Sequence, residues 1–144
     1  TIQMKKIILA VIIVITATTT FGQLNKSIIK HRIVFQLSSN DTLVWKGLIK
    51  NITHLKNAWL DSVQIEVVAH GLGIEILVAA KTTQQKKITE FKNMGIVFVG
   101  CENTLKDRNI AKEALITEAG TVPMGIGEIV IKQEQGWSYI KSGF

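Results

Sequence analysis

Ile96-Val97-Phe98-Val99-Gly100-Cys101-Glu102-Asn103-Thr104-Leu105 passes from an apolar run to a polar, helix-forming one within a few residues. A run that is apolar at successive positions has no solvent face. It reads as a strand covered on both sides, as in a parallel sheet with helices packed on each face. At the carboxyl end of such a strand, backbone N–H groups point outward, and ligands or chemistry are usually found there. The only cysteine of the chain, Cys101, stands at that junction.

The same alternation extends in both directions. Upstream, Thr82 to Met94 reads as a helix with Ile88 and Phe91 inward, ended by Gly95, and Val63 to His70 reads as a strand closed by Gly71-Leu72-Gly73. Between them Ile74 to Val78 fits either a helical turn or a strand. Further back, Ile33 to Leu37 is a short strand, and Ser39-Asn40-Asp41 supplies capping side chains for a long helix. Trp45, Leu48, Ile49, Ile52, Leu55 and Trp59 recur on that helix at three- and four-residue steps, so they share one face. Downstream, Ile110, Ala111, Ala114 and Leu115 are spaced as the apolar face of a helix stopped by Gly120, and Val122-Pro123 reads as a very short strand. Ile126, Ile129, Val130 and Gln133 suit one more helix, ending at Gly136. A strand from Glu128 to Lys132 is the alternative, but Ile129-Val130-Ile131 breaks its alternation. The helix is preferred although Gly127 inside it costs up to about 1 kcal/mol against alanine. Trp137 to Lys141 closes the chain as a last strand. Strands alternating with helices indicate an α/β fold with a parallel sheet sandwiched by helices.

Composition sets the outer bounds. With 144 residues, 47% hydrophobic and 19% charged, the chain suits one globular domain. Met4-Lys5-Lys6, the apolar run Ile7 to Ile15 and the small residues up to Gly22 have the form of a secretory leader cut after Gly22. This divides the chain into a signal peptide, 1–22, and a single domain, 23–144, with a periplasmic or secreted destination. The apolar run falls short of the roughly 20 residues of a spanning helix, so no stable membrane anchor is expected once the leader is removed. The net charge is +6 and the pI near 9.6, but the lysines are scattered and no basic stripe with interleaved aromatics appears. A solvated basic surface is therefore the reading, with no nucleic-acid partner. A single cysteine forms no internal disulfide, so the fold holds by packing.

Two side chains draw attention as chemistry. If the strands form one parallel sheet, their carboxyl ends share an edge, which puts His70 and Cys101 on the same side of the molecule. A neutral His70 imidazole within reach takes the thiol proton, and thiolate is the form of cysteine that attacks or carries sulfur. The other reading of His70 is that it satisfies backbone groups at a turn. For Cys101, the following helix start and the cations Lys106 and Arg108 favour thiolate while Glu102 opposes it. The other reading is a small residue filling a strand end. Gly71 and Asn103, beside these two, are the ligand-binding candidates. Gly71-Leu72-Gly73 and Gly125-Ile126-Gly127 lack the spacing of a dinucleotide fingerprint. His31, His54 and His70 are far apart, and no Cys-x-x-Cys or His-x-x-x-His pattern points to a metal, so neither metal nor cofactor is expected. Asn51-Ile52-Thr53 matches a glycosylation sequon but falls on the long helix.

Val67-Val68-Ala69-His70-Gly71, then Val97 through Leu105 around Cys101, then Gly127 through Lys141 together resemble the DsrE/DsrF-like family in the order in which they occur, over essentially all of 32–143. The resemblance implies a three-layer α/β/α sandwich on a five-stranded parallel sheet, commonly assembled into trimers or hexamers. In the sulfur-relay members a cysteine after the third main strand accepts sulfur as a persulfide and passes it to a partner protein. Cys101 matches that position. The expectation is an exported, homo-oligomeric DsrE-like protein that binds or carries sulfane sulfur on Cys101, served by a sulfur donor or acceptor protein. The alternative is a non-catalytic oligomeric module for a small ligand or a protein, with the cysteine incidental.

Overall fold

A computed structural model describes residues 29–143. The leader expected at 1–22, and its cut after Gly22, lie outside these residues. Five strands, β1 (His31–Leu37), β2 (Val63–Ala69), β3 (Val97–Cys101), β4 (Gly120–Val122) and β5 (Ser138–Ser142), form one sheet in the order β4-β3-β2-β1-β5. Every neighbouring pair is parallel. The helices are α1 (Thr42–Trp59), α2 (Gln85–Asn93), α3 (Glu102–Asp107) and α4 (Gly125–Glu134).

This strand order dictates where the helices go. From β1 to β4 the chain steps in one direction across the sheet, then returns past β1 to place β5. Right-handed crossovers keep the helices of the outward steps on one face and put the helix of the return on the other. The packing agrees. On one face Phe35, Ile65 and Phe98 of the sheet pack with Trp45, Leu48 and Ile52 of α1 and with Ile88 and Phe91 of α2. On the other, Val34, Val68 and Val99 meet Ile129 of α4 and Trp137. Alternation along each strand makes this division, since neighbouring residues point to opposite faces.

Helix α1 starts where Asp41 accepts the N–H of Leu43 at 2.8 Å, and its expected inner face is buried at Trp45, Leu48, Ile49 and Ile52, with Leu55 and Trp59 partly so. The helix reading of 126–135 holds, as α4. A Cβ at Gly127 would meet the Met124 methyl at 2.6 Å, but that methyl ends a flexible, exposed side chain that can move aside, so packing does not demand the glycine. The ambiguous stretch before Val78 is a 3₁₀ helix, Gly71–Leu77. Val78 itself makes an isolated antiparallel bridge with Leu115.

The helix expected to carry Ile110, Ala111, Ala114 and Leu115 does not form. Asn109 takes φ 52°. The Ile110 N–H then reaches the Leu105 carbonyl at 2.9 Å and the Asn109 N–H reaches Lys106 at 3.1 Å. That pair of bonds is a Schellman closure with asparagine in the left-handed position, and it ends α3 at Asp107. Only a 3₁₀ turn, Lys112–Ala114, follows. Gly120, expected to stop a helix, instead opens β4.

Candidate functional site

The loops after β3 and β4 leave the sheet in opposite directions. The loop after β3 forms α3, whose Leu105 joins the core under α1 and α2, whereas β4 leads into α4 on the opposite face. Such a divergence between adjacent strands opens a crevice at their carboxyl ends. Cys101 is the last residue of β3 and the N-cap of α3, so its side chain sits at that divergence.

Its Sγ accepts a hydrogen bond from the Gly125 N–H at 3.2 Å, which ties the end of β3 to the start of α4. Burial pushes the Cys101 thiol up, but the Thr104 hydroxyl and the N–H groups of Gly125, Thr104 and Asn103 outweigh it, and the net direction is down. Donors aimed at sulfur favour the charged form. The Thr104 hydroxyl is itself polarised, since its oxygen accepts the Gly71 N–H at 3.1 Å while the proton serves the sulfur. Gly71 makes that turn at φ 54°, a left-handed conformation that a side chain would strain. Gly125 is fixed by space, because a Cβ there would lie 3.1 Å from the Cys101 Cβ and 3.3 Å from the His70 Cβ.

His70 and Cys101 do come together. Ala69 of β2 and Gly100 of β3 are register partners, and His70 and Cys101 each follow by one residue. The His70 Nε2, however, meets the Gln36 amide nitrogen at 2.7 Å, and the Gln36 oxygen accepts the Tyr139 hydroxyl. Burial lowers the pKa of His70, so the ring is neutral at neutral pH. Asn103 is exposed at the rim, and its N–H also reaches the Pro123 carbonyl at 3.3 Å. Two of the charges expected to act on the thiol, Arg108 and Glu102, are engaged elsewhere. Arg108 binds Glu75 at 2.7 Å. Glu102 accepts from Thr121 at 2.7 Å and pairs with Lys112 at 3.3 Å, and both contacts hold its carboxyl below the usual range.

Thr104, Gly125, Gln36 and Tyr139 are the site residues that sequence reasoning missed. A signal existed for Thr104, which lies three residues past the cap, where a side chain reaches back to the helix start. Among the described residues no three His, Cys, Asp or Glu side chains group to hold a metal, and no helix is long and apolar enough to cross a membrane.

A family model for the DsrE/DsrF-like family matches residues 47–142, from within α1 to the end of β5. The chain belongs to the DsrE/DsrF-like family. It is similar to a solved structure of a protein of unknown function from Methanobacterium thermoautotrophicum, at 32% identity and TM-score 0.74, over 78% of this chain and 99% of that one. A second protein of unknown function, from Bacteroides thetaiotaomicron, shares the fold at 18% identity and TM-score 0.61, over 81% of this chain and 99% of that one. No curated protein matches the chain.

Proposed function

We propose that this DsrE-family protein binds or carries sulfane sulfur as a persulfide on Cys101. The observation that supports the reading most is the ring of donors on Sγ: the Gly125 N–H at 3.2 Å, the Thr104 hydroxyl, and two further backbone N–H groups. Such an environment makes thiolate, and thiolate is both the attacking species and the form that stores a transferable sulfur. With only 6% of Cys101 exposed, the donor is a small molecule or a partner that presents its sulfur at the end of an extended arm. Export to the periplasm or beyond, assembly into a trimer or hexamer, and exchange with a sulfur donor or acceptor protein belong to the same proposal.

Intact mass before and after incubation with a persulfide donor tests it. A reducible gain of one sulfur atom, present in the wild type and absent in Cys101→Ala, is expected. Equal gain in both, or none in the folded wild type, overturns the carrier reading.

One observation favours a second reading. The outer side of α4 leaves Met124, Ile126, Val130 and Ile131 exposed beside a nearly closed thiol. An oligomeric binding module, with the cysteine incidental, would have that surface. Native reactivity of Cys101 toward a thiol reagent separates the two. Modification only after denaturation supports the module.

A further inference from the structure

His70 was expected to act as a base toward Cys101, and the bonds around its ring point to a different use. Tyr139 of β5, Gln36 of β1 and His70 after β2 form a hydrogen-bonded row across three neighbouring strands, on the face that α4 covers. The Tyr139 hydroxyl donates to the Gln36 side-chain oxygen, which can only accept. This turns the Gln36 NH₂ toward His70, and at 2.7 Å it donates to Nε2. In a neutral imidazole one nitrogen accepts and the other carries the proton, so the proton of His70 is on Nδ1.

We infer that Tyr139 and Gln36 are positioning residues that hold His70 as an Nδ1–H donor beside Cys101, where it stabilises the thiolate leaving a persulfide donor. The inference rests on the sulfur-carrier reading. Adjacent strands lie about 4.8 Å apart, so the leaving sulfur of a donor engaged at Cys101 falls within reach of the neighbouring ring. The step balances without an oxidant. Cys101 thiolate attacks the outer sulfur of R–S–SH, the Sγ–S bond forms, and the R–S–S bond breaks with its electron pair left on RS⁻. Cys101 then holds S–SH. RS⁻ departs hydrogen-bonded to Nδ1–H, and the His70 proton stays on Nδ1.

Two measurements on the full chain test this. Long-range proton–nitrogen correlation spectra of ¹⁵N-labelled protein read the His70 tautomer, assigned by the resonances lost in His70→Asn. Protonated Nδ1 with unprotonated Nε2 is expected, and protonated Nε2 overturns the inference. Loading rates are then compared for an alkyl and an aryl persulfide, whose leaving thiols differ in basicity. Gln36→Leu is expected to slow the alkyl donor about tenfold and the aryl donor about twofold, because the more basic thiolate needs the donor more. Tyr139→Phe, nearly isosteric, changes the rates in the same direction by less and covers the case in which Gln36→Leu fails to fold. Equal slowing of both donors reduces the row to a structural role and overturns the leaving-group function. If the wild type takes up sulfur from neither donor, the carrier reading fails and the leaving-group function fails with it, while the spectrum still decides the tautomer.

Discussion

The two faces of the sheet are built to different standards. The face under α1 and α2 is closed by large apolar side chains, among them Phe35, Phe98, Leu48 and Ile52, nearly all fully buried. The face under α4 has a small core of Val34, Val68, Val99, Ile129 and Trp137 and fills the rest with polar groups. Lys132 bonds Glu66 at 2.7 Å and Glu128 at 3.4 Å and lies over the Trp137 ring. The Tyr139–Gln36–His70 row and Cys101 share this face. The first face holds the fold and the second carries the candidate thiol site, so substitutions in the two should separate stability from thiol reactivity.

The largest effect belongs to the first face. Phe35→Ala should cost about 3–5 kcal/mol in denaturant unfolding, for lost transfer energy plus a cavity. Cys101→Ser should leave the unfolding midpoint nearly unchanged while removing thiol reactivity. A large stability loss in Cys101→Ser would break the division.

Next comes Lys132→Met, which leaves the Glu66 carboxylate buried without its cation. The cost should be about 2–3 kcal/mol, below the range for fully buried pairs because Lys132 keeps 17% of its side-chain surface. Burial, the largest influence on Glu66, already raises its pKa even with Lys132 in place. An acid raised on folding binds protons more readily in the native state, so the variant should regain stability as pH falls toward the unfolded carboxyl value. Urea midpoints across mildly acidic pH measure this, and a penalty independent of pH would contradict it.

Glu75 gives the opposite sign on the loops of the carboxyl edge. Lys81 first, then Asn40 and Arg108, hold its carboxyl below the usual range. Its contribution is therefore present above the unfolded carboxyl value and lost as pH falls through the lower, folded one. Glu75→Gln should flatten that acid limb of the stability profile. An unchanged limb would show that the contacts with Lys81 and Arg108 carry no stability.

Thr104→Val is expected to have the smallest effect on the fold and a clear one on the thiol. It leaves the Gly71 N–H without its partner, at about 1 kcal/mol, and removes a donor from sulfur. Alkylation of Cys101 at neutral pH should slow several-fold, with Thr104→Ser restoring it. An unchanged rate would remove Thr104 from the site.

How far the sequence reveals this depends on the range of the interactions. The strands were legible because Ile33 to Leu37, Val63 to His70 and Ile96 to Val99 are short, mainly β-branched apolar segments bounded by turn and capping residues. The helix sought at Ile110 to Leu115 failed because three- and four-residue spacing says nothing about Asn109, whose left-handed turn closes α3 first. Cys101 was legible from its place at a strand end, and His70 from the parallel register. The partners that define their chemistry were not. Gln36 and His70 are 34 residues apart, Tyr139 and Gln36 are 103 apart, and Gly125 meets Cys101 across 24, all brought together by the crossover order rather than by any local pattern. The same holds for charge. Arg108 and Glu102 lie close to Cys101 in sequence, but tertiary partners claim both.

The most direct test of an activated thiol on the α4 face is a titration of Cys101 by thiolate ultraviolet absorbance in the folded protein, with Cys101→Ser as the blank. A midpoint below the ordinary thiol value, moved upward in Thr104→Val, is the predicted result. A midpoint at or above the ordinary value, or titration that appears only on unfolding, would contradict the account.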